Sequence, residues 1–148
     1  MGFTDKYEFE ELLYGVAGWN SLITANFQAL DEFLHTYIPG TAGEALTARQ
    51  PVYLASDGKF YKAKADADST MPALGLVIAD ASAGGAILVR RVGPITDAGW
   101  SWSAGASIYV SDSVAGGLTA TKPAARAQPL GVASAADTIF LNVTLIAL

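Results

Sequence analysis

Residues 52–63 read VYLASDGKFYKA, two short apolar-rich runs on either side of Asp57-Gly58. Asp-Gly supplies the positive φ angles of a two-residue hairpin turn, so this stretch predicts two antiparallel strands. On that register Val52, Leu54, Tyr61 and Ala63 share one face, the expected core, and Tyr53, Ala55, Phe60, Lys62 and Lys64 share the other. From Gln50 onward the apolar residues keep a period near two, and glycine and proline punctuate the chain at short intervals. That is the rhythm of a small antiparallel β-barrel or sandwich, so the expected class is mainly β.

The same elements recur further along. Tyr53 stands 22 residues before Gly75 in VYL…PALGLV, and Tyr109 stands 22 residues before Gly131 in IYV…QPLGVA, an offset of 56 in both cases. Each unit then passes through a loop to another strand, Ala86 to Val92 in the first and Thr138 to Val143 in the second. The expectation is two pseudo-repeats, 50–92 and 106–145, closing one barrel-like core.

Upstream the period changes. Trp19, Ile23, Asn26, Leu30, Phe33 and Tyr37 recur at spacings of four and three, flanked by Leu22, Ala29, Phe27 and Leu34. This predicts an α-helix from Trp19 to Tyr37 with a wide apolar stripe, about 28 Å long at 1.5 Å per residue. Thr24, Ala25, Gln28, Asp31, Glu32 and His35 fall on the opposite face. A shorter helix is expected from Asp5, before Gly15 and Gly18. Pro39-Gly40-Thr41-Ala42-Gly43 is where the long helix would stop, which divides the chain into a helical segment, 1–40, and an all-β domain, 41–148. Residues 1–37 hold six acids against Lys6, whereas 38–148 hold eight acids and eight bases, so all of the net charge of −5 lies on the helical piece.

A lone helix of that length is marginal in water unless its stripe is covered. Three covers are open: the chain's own sheet, identical helices packed about a threefold or similar axis, or a foreign protein surface. Asn26 in the seam speaks for the second, because a lone seam Asn fixes register and oligomer number. The expected oligomer interface is therefore Trp19, Ile23, Asn26, Phe27, Leu30, Phe33 and Tyr37.

Composition excludes much chemistry. Apolar residues make up 51% and charged residues 16%, so the chain folds. Cysteine is absent and His35 is the one histidine, which removes disulfides, thiolate zinc sites, thiol nucleophiles and two-histidine metal sites. Net negative charge has the wrong sign for phosphate backbones, so no nucleic-acid partner is expected. The start, MGFTDKYEFEELL, is acidic and lacks the apolar run of a signal peptide. Ile139 to Leu148 is far short of the roughly 20 residues needed to span a bilayer and reads as a final strand. No membrane partner, cofactor or metal is expected.

Asp66-Ala67-Asp68-Ser69-Thr70 begins like a calcium loop, but Met71 and Val77 occupy the positions where Gly and Glu are needed, so a solvated turn is expected. Gly84-Gly85 and Gly116-Gly117 lack the Lys-Ser/Thr of a phosphate loop and read as tight turns. Nothing brings two carboxylates together in a cleft, and a Ser-His-Asp arrangement is not supported, so the chain is read as non-enzymatic. Trp100 and Trp102, in the strand-like GWSWS, point to one side. They serve core or subunit packing, or they stack on sugar rings or a partner protein. Arg90-Arg91 reads as a strand end, suited to a salt bridge or a subunit contact.

WNSLITANFQALDEFL, followed by GASIYVSDSVAGGLTATKP and QPLGVASAADTIFLNV, resembles the small structural proteins of tailed-phage virions. The likeness is to capsid decoration or head-fibre proteins and to the base modules of tail fibres. It implies a homotrimer without enzymatic activity or cofactor, located in the virion after assembly in the host cytoplasm. The implied partners are other copies of the chain and the major capsid protein or another virion protein; host-surface glycans enter through the indoles of Trp100 and Trp102. Head attachment is the preferred expectation. A tail-fibre or baseplate protein and a carbohydrate-binding adhesion module are the alternatives.

Overall fold

The computed structural model describes Ile23, Ala25, Asn26, Leu30 and residues 37–144. The chain divides into two compact units, Met1–Thr36 and Tyr37–Leu148. In the first, Ile23, Ala25, Asn26 and Leu30 are helical. Ile23, Ala25 and Asn26 are half-buried, and Leu30 is exposed. Trp19, Phe27, Phe33, His35 and the shorter helix expected from Asp5 lie outside the described residues.

The second unit is β throughout its described length, apart from one 3₁₀ turn at Asp68–Thr70. Its strands are β1 (Tyr37–Thr41), β2 (Pro51–Leu54), β3 (Phe60–Lys62), β4 (Gly75–Val77), β5 (Ala86–Arg90), β6 (Val92–Thr96), β7 (Ser107–Val110), β8 (Leu118–Thr119), β9 (Pro129–Ala135) and β10 (Thr138–Asn142). They form two antiparallel five-stranded sheets, ordered β1-β5-β4-β2-β3 and β6-β10-β9-β7-β8. The architecture is sandwich-like rather than a closed barrel. The edges of the first sheet meet at one point, where Ala42 bridges Phe60 and the Gly43 N–H donates to the Phe60 carbonyl at 2.8 Å. Glycine permits that curl, because a Cβ on Gly40 would overlap the Phe60 ring and one on Gly43 would overlap the Tyr61 ring.

Two expectations at this end are corrected. Of Pro39-Gly40-Thr41-Ala42-Gly43, expected to end the helix, Pro39, Gly40 and Thr41 are strand, and Tyr37, expected on the helix seam, opens it. Pro39 is tolerated because β1 is an edge strand, where a missing N–H breaks no second ladder. Arg90 ends β5, as expected of a strand end, and sits over the Tyr37 ring, 5.5 Å from its centroid.

The hairpin exists, with its register displaced by one. Tyr53 pairs with Tyr61, Val52 with Lys62 and Leu54 with Phe60. Ala55 N–H bonds to Lys59 O at 2.9 Å and Gly58 N–H to Ala55 O at 3.0 Å, so the turn is the three residues Ser56-Asp57-Gly58 with Gly58 at φ +78°. A one-residue slip moves a strand's side chains to the opposite face. Phe60 therefore joins Val52 in a core and Tyr61 lies beside Tyr53 at 6.1 Å, whereas Leu54, on the same face as Val52 but at the turn end of its strand, is 49% exposed. The Asp57 carboxylate fixes the longer turn by accepting from Lys59 N–H at 3.0 Å and from the Tyr61 hydroxyl at 2.8 Å.

The two sheets have one topology, which includes β1 and β6 as well as the strands of the segments compared in the sequence. Advancing every strand number by five converts one sheet order into the other. Pro51↔Leu76 and Val52↔Gly75 correspond to Ser107↔Val132 and Ile108↔Gly131, all displaced by 56 residues. Gly75 and Gly131 meet the same constraint: a Cβ would overlap the carbonyl oxygen of Arg90 in the first case and of Phe140 in the second.

The copies pack head to tail. A small core inside the first sheet holds Val52, Phe60, Val77, Ile87 and Val89 with Ala42 and Leu46. The inner face of the second sheet, with Ile95, Ile108, Val110, Leu130, Ile139 and Leu141, closes over Leu76, Ala63, Ala65, Met71 and Ala73 of the first copy. Each large aliphatic side chain removed from water in this way contributes about 2 kcal/mol. The final strand ends at Asn142, and residues 145–148 lie outside the described residues.

Gly75→Ala and Gly131→Ala each force a methyl group against backbone that cannot swing aside. Each is expected to lower the unfolding free energy by about 2–3 kcal/mol in urea melts. Gly84→Ala, at φ +82° with open space around it, is expected to cost about 1 kcal/mol. Equal losses at all three positions would contradict the close strand approach.

The turn also predicts a pH profile. The Tyr61 hydrogen bond, ahead of the Lys59 amide, holds Asp57 below the ordinary 3.8. The same bond raises Tyr61 above 10.0. A lowered acid contributes fully above its ordinary range and fades as pH falls through the folded value; a raised phenol contributes below its ordinary range and fades as pH rises. The melting-temperature difference between wild type and Tyr61→Phe is therefore expected to be flat from about pH 5 to about pH 9 and to shrink beyond both ends.

Candidate functional cleft

The linkers that lead from the first to the second strand of each copy, residues 42–50 and 97–106, are nearly equal in length. The backbone work of these linkers is the same. Arg49 N–H bonds to Val77 O at 2.7 Å and Val77 N–H to Gln50 O at 3.0 Å; Gly105 N–H bonds to Ala133 O at 2.8 Å and Ala133 N–H to Ala106 O at 2.8 Å. Leu46 N–H bonds to Ala81 O at 2.9 Å, and Trp102 N–H to Ala136 O at 2.8 Å.

The side chains diverge on this common frame. Leu46 is buried in the small core, whereas its counterpart Trp102 is partly exposed. Arg49 has φ +74°, the only positive value at a non-glycine among the described residues, and its counterpart Gly105 has φ +86°. A side chain in that backbone region costs about 1 kcal/mol relative to glycine. The Arg49 guanidinium offsets the cost by donating from Nε to Thr96 O at 2.9 Å and from Nη1 to Ile78 O at 3.0 Å, which ties β6 to the end of β4.

These residues line an open cleft of about 370 Å³, with Arg49 and Gln50 on one side and Asp97, Trp100 and Trp102 on the other. Asp97 builds its own loop: Oδ1 accepts Gly99 N–H at 2.8 Å and its carbonyl accepts Trp100 N–H at 3.1 Å. Its Oδ2 lies 3.9 Å from Arg49 Nε, both groups being partly exposed, so the pair adds little stability and serves to place charge. Gln50 Oε1 accepts Thr47 N–H at 2.8 Å.

Trp100 and Trp102 lie together as expected, with centroids 6.0 Å apart, but GWSWS is loop rather than strand and the rings are inclined by 51°. The chain leaves the sheet there because Asp97 turns it. Both rings pack partly against the larger core. Trp102 Nε1 is buried and finds no acceptor among the described residues. Such an orphan costs about 1–3 kcal/mol.

Asp66 and Asp68 are bound up with cations. Lys64 approaches Asp66 at 2.6 Å and Arg126 pairs with Asp68, and these cations, first through their hydrogen bonds, pull both carboxyls below the usual 3.8. Gly84 and Gly116 sit in turns at φ +82° and +71°. Of the expected oligomer interface, Ile23, Asn26 and Leu30 are helical, Tyr37 is in β1, and Trp19, Phe27 and Phe33 are outside the described residues. Arg49, Gln50 and Asp97 were not singled out in the sequence. The signal for Arg49 was present: the 56-residue offset aligns it with a glycine.

No family model and no curated protein matches this sequence. No helix among the described residues is long and apolar enough to cross a membrane.

Arg49→Gly and Arg49→Ala both delete the hydrogen bonds to Thr96 and Ile78, and only the alanine keeps the unfavourable φ. The glycine variant is expected to be more stable than the alanine variant by about 1 kcal/mol in chemical denaturation. The reverse order would show that the backbone at this position is not held at positive φ.

Proposed function

We propose that the chain is a non-enzymatic structural subunit that works by contact within a symmetric assembly: a homotrimeric capsid decoration or head-fibre protein of a tailed-phage virion. The observation that carries this reading is the outer face of the second sheet. Phe140 is 54% exposed, Val132 46% and Val92 43%, on three adjacent strands, with Pro94 paired to Phe140. In the first copy the position of Val132 is Leu76, which is fully buried beneath the second sheet. The same face of the same repeat is thus covered once and left open once.

An exposed apolar strip across three strands is what a subunit presents to its neighbours. In a closed assembly it is covered by a second copy, and symmetry repeats the contact. The resemblance of the sequence to virion structural proteins supplies the threefold number and the location. The β-domain, with eight acids and eight bases over residues 38–148, carries no net charge that would keep copies apart. In this reading the N-terminal helical segment adds its own contacts through Ile23, Asn26 and Leu30.

Light scattering on the full chain at micromolar concentration is expected to give three times the 15.3 kDa of one chain. Val132→Ser/Phe140→Ser is expected to lower that mass with an unchanged circular dichroism spectrum. A monomeric wild type, or a double variant that assembles as well as wild type, overturns the reading. Antibody labelling on purified virions is expected at the head, and labelling at the tail would reject the decoration role.

A further inference from the structure

We infer that the cleft between Arg49-Gln50 and the Asp97–Trp102 loop is a carbohydrate-binding site that takes one neutral pyranose ring of a glycan. The inference stands apart from the assembly reading, since it uses none of the residues of the exposed strip.

The duplication supplies the argument. Two linkers with the same hydrogen-bonding frame put the same demands on backbone conformation and polar pairing, so a residue that meets them badly in one copy stands out against its counterpart in the other. At 46 and 102 the first copy satisfies the fold with a buried leucine, and the second has a tryptophan that leaves its Nε1 unpaired among the described residues. At 49 and 105 the second copy satisfies the backbone with glycine, and the first has an arginine at φ +74°. Each copy thus departs from what the frame prefers, and both departures line one cleft. Local rules broken together at a concave surface mark a site selected for something other than folding.

The groups in the cleft match a pyranose. Such a ring has a face of C–H groups that packs on an indole, and Trp100 and Trp102 supply indole surface. Its rim carries hydroxyls that donate and accept at once. Asp97 Oδ2 is the acceptor, Arg49 Nη2 is a donor without a partner among the described residues, and the Gln50 amide adds further donors. The carboxylate 3.9 Å from the guanidinium cancels the local charge, so an anionic sugar gains nothing over a neutral one. The volume, about 370 Å³, lies within the range of small-ligand sites, and the cleft is open enough for the rest of a glycan to lead away.

The test is tryptophan fluorescence of the full chain titrated with maltotriose, lactose, mannotriose, chitotriose and sialyllactose. At least one neutral sugar is expected to give a saturable change, weakened tenfold or more in Trp100→Ala and in Arg49→Gly. Arg49→Gly keeps the fold, because it installs the residue that the second copy uses at this position. Leu88→Ala, on another strand face, is expected to bind as wild type does. The proposal is overturned if no neutral sugar gives a saturable change, if sialyllactose alone binds, or if binding survives both cleft substitutions.

Discussion

The second sheet can close over the first because one buried amide holds the two copies in register. Gln128, fully buried, accepts from Ala73 N–H at 2.8 Å and donates from Nε2 to Ala73 O at 2.8 Å and to Thr144 O at 3.1 Å. Ala73 precedes β4 and Gln128 precedes β9, the corresponding strands of the two copies. A buried peptide group that would otherwise lose water is thereby satisfied at both its atoms, which is where buried polar groups contribute most to specificity. Leu76 and Leu130 lie in the core immediately beyond this clamp. A different register between the copies would bury the amide unpaired.

That clamp makes the packing directional. The first copy offers its outer face to the inner face of the second, so the two equivalent faces meet different surroundings and diverge in sequence. Leu76 is fully buried, and its counterpart Val132 is exposed. Val77, the next residue, turns into the small core of its own sheet, so β4 is apolar on both sides in the manner of an interior strand. The tandem arrangement leaves one uncovered apolar face and one pair of unequal linkers, the two places where the proposed assembly and the proposed sugar site fall.

Much of this was legible in the sequence, for physical reasons that differ by residue. The period of two and the Gly-Pro punctuation report strands directly, because alternation follows from the pleat. The offset of 56 between Tyr53 and Tyr109 was readable because Gly75 and Gly131 answer the same backbone contact. The hairpin register was not readable, since Asp-Gly serves a two-residue turn and a three-residue turn alike. What selects the longer turn here is the pair of bonds that the Asp57 carboxylate accepts from the Lys59 N–H and the Tyr61 hydroxyl, local contacts that leave no mark on the alternation of the strands. Pro39-Gly40 looked like a stop because both residues break helices. Neither breaks an edge strand, and the glycine makes room for Phe60.

The cleft was half visible. Two tryptophans in five residues are conspicuous, whereas Arg49 and Asp97, 48 positions apart, carry no local pattern that joins them. They meet because the first copy's linker runs from the end of β1 past the end of β6, where Arg49 grips the carbonyl of Thr96 and Asp97 begins the next linker. Linkers are where such chemistry can accumulate, since most of their side chains lie at the surface and only a few, such as Leu46, fill a core. The limit lies in the backbone frame, which both copies keep. Arg49 departs from it in φ preference and Trp102 in an Nε1 without an acceptor among the described residues, yet neither disturbs the strand pairing that the frame supports. A duplicated domain is suited to this division: one copy records what the fold requires at each position, and the other is free to depart from it.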